Sequence, residues 1–333
     1  MIDTIRLSHG SGRGLDELLR EVVIPLLGDA DATLEDAALL NAPKGQLAFT
    51  IDSFVVEPLE FPGGNIGKLS VCGTLNDLAM MGARPIALSV ALILEEGLSV
   101  ALLKRMLDAL RSECAAMGIA VACGDTKVVD RGKADGIFIT TSGIGVIPEG
   151  RSLSIAHAKP GDAIVFSGPI GRHGIAIMAA RKGLNFASTV TSDCACLHPL
   201  VETMLAAAPG VRPLRDATRG GVSAVLCEMA QASKVTITLR QQQVPVSPEV
   251  ASACEFLGFD PLHVANEGTF VASVPQDQAK VALAALAAHP LGRGAVIAGS
   301  VKEQGRYPVV METVIGGTRM VDAPPGELLP RIC

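Results

Sequence analysis

The chain reads as a two-domain α/β protein of mixed, α+β character, and three observations predict it. Strand-length apolar runs alternate with helix-length amphipathic runs along nearly the whole chain. The 333 residues exceed the usual size of one domain, and 49% of them are hydrophobic, enough for two substantial cores. The turn Pro148-Glu149-Gly150 divides the alternation into two similar halves.

After the glycine-rich opening His9-Gly10-Ser11-Gly12-Arg13-Gly14, leucines and valines at 15, 18, 19, 22 and 23 predict a helix over 15–27. A short buried strand over 47–51 ends at Asp52-Ser53, and the turn Phe61-Pro62-Gly63-Gly64 opens a helix over 65–81. A strand over 86–94, a helix over 100–117 capped by Ser99, and strands over 119–123 and 137–146 complete the first half. The second half begins with a strand over 163–166 and a glycine-punctuated turn, 168–174, that opens a helix. Helices over 197–208, 221–232 and 248–257 follow, with strands over 235–239, 270–274 and 296–301. The expected divisions are an N-terminal segment over 1–37, a first domain over 38–150, a second over 151–320 and a tail over 321–333. A cleft between the domains is the default location for a site.

Composition excludes several function classes. Aromatics make up 3% with no Trp and one Tyr, the formal charge is −6 and Lys/Arg are scattered, so nucleic acid finds neither stacking platforms nor a basic stripe. Residues 1–14 carry no apolar signal core, and the longest nearly apolar run, 85–94, is about half the ~20 residues of a membrane span. A cytoplasmic protein with no membrane association is expected. Eight cysteines in a chain this long are no disulfide framework, and a reducing compartment leaves them as thiols.

The last residue is Cys333, behind a Pro/Gly stretch, Asp322-Ala323-Pro324-Pro325-Gly326, that does not fold on itself. A frayed end offers cysteine no packing, so this thiol reads as a nucleophile or carrier on a mobile arm, against the plain alternative of an accidental terminal residue. Fully extended, the residues from Asp322 onward reach roughly 40 Å.

Asp52, Asp77 and Asp125 come from three separate segments and are hard oxygen ligands of the kind that hold Mg²⁺ on nucleotide phosphates. Their plain reading is two turn residues and one solvated helix position. Lys127 places a cation two residues beyond Asp125, where a phosphate or a developing oxyanion can use it, or is a surface lysine. The run ending Gly67-Lys68 is not a P-loop, because Pro62 and Leu69 stand where glycine and Ser/Thr are required, and 168–174 lacks dinucleotide spacing. In Asp216-Ala217-Thr218-Arg219-Gly220-Gly221, Asp216 or Thr218 caps a helix and Arg219 is the more suggestive residue; Glu267, in Asn266-Glu267-Gly268, is a general base if it lies in a cleft. Cys194-Ala195-Cys196 with His198 is half of a metal site with no second pair at ligand spacing.

Taken together, Phe61 to Lys68, Cys72 to Asp77, Gly124-Asp125-Thr126-Lys127, Arg215 to Gly221, Asn266-Glu267-Gly268 and the terminal Pro330-Arg331-Ile332-Cys333 resemble the HypE family of hydrogenase maturation proteins, over nearly the whole chain. That family belongs to the aminoimidazole ribonucleotide synthetase and selenophosphate synthetase superfamily, ATP-using enzymes that activate an oxygen by phosphoryl transfer. The resemblance implies a homodimer joined through the N-terminal sheets, with ATP and Mg²⁺ as cofactors. It also implies a terminal cysteine carbamoylated by a HypF-type carbamoyltransferase, ATP-dependent dehydration of the S-carboxamide to a thiocyanate, and passage of cyanide to iron held by a HypC–HypD complex. Carried onto this chain, the catalytic residues are Cys333, Lys127 and Glu267. Nucleotide and phosphate contacts fall to Asp52, Asn65, Lys68, Asn76, Asp77, Asp125, Thr126, Asp216 and Arg219, and Mg²⁺ to Asp52, Asp77 and Asp125. Arg13 departs from the family's His-Gly-Ser-Gly-Gly opening. Selenophosphate synthetases carry a reactive residue near the N-terminus, whereas the first cysteine here is Cys72. Two rivals remain: another synthetase or kinase of the superfamily acting on a free small molecule, which needs no tail, and a non-catalytic metal carrier using Cys194, Cys196 and Cys333.

Overall fold

The structure, a computed structural model, describes residues 2–28, 37–41, 43–182, 190–324, 326 and 331–333. The N-terminal part runs through α1 (Gly12–Leu18), a π-turn at Leu19–Val23 and α2 (Ile24–Leu27), then β1 (Gln46–Phe54), the two-residue strands β2 (Glu60–Phe61) and β3 (Gly64–Asn65), α3 (Ile66–Met80), β4 (Arg84–Glu95), α4 (Val100–Ala116), β5 (Ala120–Val129) and β6 (Ile137–Ile147). The C-terminal part comprises β7 (Ala163–Phe166), α5 (Arg172–Lys182), α6 (His198–Ala207), β8 (Leu214–Asp216), α7 (Gly221–Ser233), β9 (Val235–Arg240), α8 (Pro248–Leu257), β10 (Phe270–Val274), α9 (Ala279–Ala288), β11 (Val296–Glu303), β12 (Val309–Glu312) and β13 (Thr318–Met320).

Two sheets organise the molecule, one of four strands in the order β1-β6-β4-β5 and one of seven in the order β13-β12-β9-β11-β7-β10-β8. Only β4 with β5 and β9 with β12 pair in parallel, so the α+β side of the expected class describes the connectivity. Helices α3 and α4 cover one face of the smaller sheet. In α4 the buried residues Val100, Leu103, Met106, Leu107, Leu110 and Cys114 recur at helical spacing, the signature of a helix with one wet side. Helix α3 is buried all round: its first turns sit in the core of the smaller sheet, and Ala79 and Met80 at its end pack with Leu197, Leu200 and Phe270 of the larger unit. Every polar group on α3 must therefore find a partner inside the protein.

Several elements depart from the sequence expectation. Strand β1 continues through Asp52 and β5 through Asp125 and Lys127, so these acids are strand residues with a fixed face, not loop residues. Asp52 pairs with Thr141 and shares the helix-covered face with the buried Phe54, whereas Asp125 and Lys127 lie exposed on the opposite face, flanking the buried Thr126. Helix α9 was not expected, because its sequence is almost all Ala and Leu and offers no apolar/polar contrast. Strands β8, β12 and β13 have three or four residues, too few for alternation to register.

Candidate active site

A carboxylate cluster forms where α3 meets the larger unit. Asp77 accepts a 2.7 Å hydrogen bond from the Thr50 hydroxyl of β1, which fixes it beneath the sheet beside Asp52. Burial and then Asp77 push the Asp52 carboxyl up to about 6, with Arg219 pulling the other way. From the far side β8 delivers Asp216, 8% exposed, whose carboxyl burial and Asp77 push up to about 7, opposed by Arg215. Beside the cluster opens a cleft of about 340 Å³ whose lining includes Thr50, Asp77, Met80, Leu153, Arg215 and Asp216. Burial and mutual repulsion together raise the proton affinity of these carboxyls beyond what the neighbouring arginines offset. Such a site favours a bound cation.

Glu267 is 3% exposed and is held well above the usual carboxylate range, by burial first and then by Asp216, Asp193, Asp52 and Asp77. Its backbone is gripped from two sides. Asp193 accepts hydrogen bonds from the Glu267 and Gly268 amides, each 3.1 Å, and from the Thr269 hydroxyl at 3.0 Å. Gly268 is required by this grip, since a Cβ there would stand 1.7 Å from the Asp193 carbonyl oxygen. On the other side Asn76 donates to the Ala195 and Glu267 carbonyls and accepts from the Leu197 amide.

Arg331–Cys333 is seated on the body of the protein, against the expectation of an unpacked arm end. The Val55 amide donates to the Cys333 carbonyl at 3.1 Å and the Glu57 amide to that of Arg331 at 3.2 Å, so the terminus continues past the end of β1 in strand fashion. Ile332 is buried, His173 Nε2 contacts its carbonyl at 2.6 Å, and Arg331 pairs with Asp135 and Glu57. These contacts supply the apolar burial and backbone pairing that composition alone did not promise. His173 Nδ1 lies 2.8 Å from the Ser192 hydroxyl, one residue before Asp193. A single chain of contacts thus joins the terminal segment to the grip on Glu267.

The expected site residues do not all converge within the chain. Asp125 and Lys127 pair with each other at 2.8 Å on the outer face, and β6 and β4 separate them from Asp52, about 14 Å at ~4.8 Å per strand. The glycine-rich opening lies along the same edge strand, with Gly10 beside Val128, whose side chain alternates with Lys127 onto the other face. Asn65 caps α3 through the Lys68 amide, Asn76 is spent on backbone groups, Thr126 is turned into the core, and Lys68 faces Gly63 and Glu113. Asp193, Ser192 and His173 were missed. Their only sequence signal is a polar run, Thr191-Ser192-Asp193, whose partners lie far along the chain.

Comparison with known proteins places this geometry. Residues 34–147 match the N-terminal domain, and residues 159–312 the C-terminal domain, of the AIR synthase related proteins. The carbamoyl dehydratase HypE of Rhodobacter capsulatus is 47% identical over 99% of this chain and 98% of its own length. The chain belongs to the HypE family. A crystal structure of the hydrogenase maturation protein HypE in complex with ATP superposes with a TM-score of 0.94 at 43% identity, covering 99% of this chain and all of that one. A HypE–HypF complex matches with a TM-score of 0.81 at 46% identity, over 87% of this chain and 93% of that one. A thiamine-monophosphate kinase from Stenotrophomonas maltophilia, at 20% identity and a TM-score of 0.61, shares the fold alone.

Proposed function

We propose that this protein is an ATP-dependent carbamoyl dehydratase that turns a carbamoyl group carried on its own Cys333 into a thiocyanate, the source of a cyanide ligand for the iron of a NiFe hydrogenase. The observation that carries this reading is the seat of Arg331–Cys333, linked through His173 and Ser192 to the Asp193 that holds Glu267. The names of its relatives support the activity, the HypE–ATP complex supports the nucleotide, and the HypE–HypF complex supports a HypF-type donor of the carbamoyl group. A HypC–HypD complex is the proposed acceptor of the cyanide, in the cytoplasm; no helix among the described residues is long and apolar enough to cross a membrane.

Dehydrating an amide requires a better leaving group than hydroxide. ATP supplies it by phosphorylating the carboxamide oxygen; the C–O bond then breaks, the oxygen leaves with phosphate, and the nitrogen gives up its two protons to form S–C≡N. Glu267 takes a proton from the nitrogen, a role suited to a carboxylate whose proton affinity is raised. Lys127 stabilises charge building on the oxygen and the transferring phosphoryl group. The uncompensated carboxylates fit Mg²⁺, which Asp52 and Asp77 would hold with Asp216 beside them; when bound it neutralises triphosphate charge.

Asp125 and Lys127 join this chemistry where two copies meet. The outer face that carries them exposes Leu47 (56%), Phe49 (70%) and Ile51 (62%) in one row of β1, an apolar stripe that a second copy of the sheet would cover. Sedimentation should give a dimer that Phe49→Glu dissociates. The activity itself is tested by intact mass spectrometry after incubation with the carbamoyl-transferring partner, carbamoyl phosphate and ATP: a carbamoyl adduct on Cys333 that then loses one water supports the reading. An adduct that persists unchanged with ATP overturns it.

A further inference from the structure

A second cluster lies apart from the carboxylates, at the seam between α3, α4 and the loop before α6. Cys72 of α3, Glu113 of α4 and Cys196 of the loop form a triangle: Sγ to Sγ is 3.4 Å, Cys72 Sγ to Glu113 Oε2 is 3.9 Å and Cys196 Sγ to the same oxygen is 3.8 Å. All three donor atoms lie within 4.8 Å of one another. A tetrahedral zinc ion with Zn–S near 2.3 Å and Zn–O near 2.1 Å separates its ligands by about 3.6–3.8 Å, so the triangle matches one face of that tetrahedron to within about 0.4 Å. The Cys194 thiol hydrogen-bonds Cys72 from outside this triangle and would have to move inward to serve as the fourth ligand.

We propose that Cys72, Cys196 and Glu113, with Cys194, form a zinc site that fastens the N-terminal helix pair to the loop supporting Glu267. Three features favour an ion over ordinary thiol packing. A carboxylate converges on thiols that are themselves fully enclosed, where an apolar side chain would otherwise serve. The ligands come from three separate segments, as in structural zinc sites, and two of them occur as a Cys-x-Cys pair. Charge is also provided for: three thiolates, one carboxylate and Zn²⁺ sum to −2, and Lys68 Nζ stands 3.9 Å from Glu113 Oε1. Binding releases the three thiol protons to solvent. Cys194 adjoins Asp193 and Cys196 precedes Leu197, whose amide Asn76 holds, so the ion would stiffen the support of Glu267 without touching the reaction.

The test uses the full-length protein, reduced and stripped of metal, titrated with Zn²⁺ against a chromophoric chelator and separately with Co²⁺. One ion per chain and an ultraviolet sulfur-to-cobalt charge-transfer band are expected. Cys196→Ser should weaken Zn²⁺ binding by more than the ~10–100-fold typical of a lost supporting group, and Glu113→Gln, on a partly exposed helix position, by at least about tenfold. Cys123→Ser, on the outer sheet face, should change nothing. Absence of the cobalt band with all thiols counted as reduced, or unchanged affinity in both Cys196→Ser and Glu113→Gln, would overturn the site. Neither result bears on dehydration at Cys333.

Discussion

Removing the charge of Asp216 should stabilise the ligand-free protein and cripple its use of Mg-ATP. In the folded protein this carboxyl titrates at about 7 against an ordinary 3.8, raised by burial and by Asp77. Below about pH 4 the folded and unfolded chains both hold the proton, so the group is neutral in the balance. Between about pH 4 and 7 the unfolded chain ionises while the folded one keeps its proton, and stability falls by about 1.4 kcal/mol per pH unit. The loss reaches about 4 kcal/mol by pH 7 and levels off above it. Because Asp52, Asp77 and Glu267 relax when a neighbouring charge goes, the amount removed by Asp216→Asn is better taken as about 2–4 kcal/mol. Urea denaturation with chelator present should therefore show the variant gaining on the parent by about 2–3 kcal/mol from pH 5 to pH 8. Effects of shape and hydrogen bonding are common to both pH values and cancel in that difference. Adding Mg-ATP at pH 8 should raise the parent's midpoint and leave the variant's nearly unmoved. A variant that keeps the parent's pH slope would refute the crowded-carboxylate account of this site.

In single-turnover assays Lys127→Ala and Glu267→Ala should each slow dehydration by roughly two to four orders of magnitude while Cys333 is still carbamoylated, the range for a lost charge stabiliser or general base; parent rates in both would remove them from the chemistry. Gly268→Ala should cost several-fold more stability than an ordinary surface change, since its Cβ meets the Asp193 carbonyl at 1.7 Å, and a thermal midpoint equal to the parent's would contradict the close approach. Cys333→Ala should abolish modification detected by mass, and residues appended after Cys333 should impair dehydration with the thiol intact; normal thiocyanate from the extended chain would show that the terminal position is dispensable.

The alternation of apolar runs announced two mixed domains because strands and buried helices must place their apolar residues at their own periods, whatever they pack against. The same local logic located β4, α4 and β6 within a few residues and picked out Asp52, Asp77 and Glu267 as chemically suggestive, while it read Asp216 as a helix cap and preferred Arg219. It stopped at face and partner. Treating 51 and 123 as strand ends turned Asp52 and Asp125 into loop residues free to converge, whereas the continuation of β1 to Phe54 and of β5 to Val129 commits them to opposite faces of one sheet.

By itself the sequence determined the family, through motifs spread from Phe61 to Cys333, and with it the composition of the chemistry: acids for a cation, a lysine, a glutamate just before a strand and a terminal thiol. Tertiary structure alone decided which of these meet. It brought Asp216 from β8 to Asp77 on α3, recruited Asp193 to hold Glu267, seated Arg331–Cys333 beside Val55–Glu57, and gathered Cys72, Glu113 and Cys196 from three segments. The physical reason is common to all four. Each contact joins residues scores or hundreds of positions apart, and its energy depends on burial and charge that exist only once the two sheets have closed around α3.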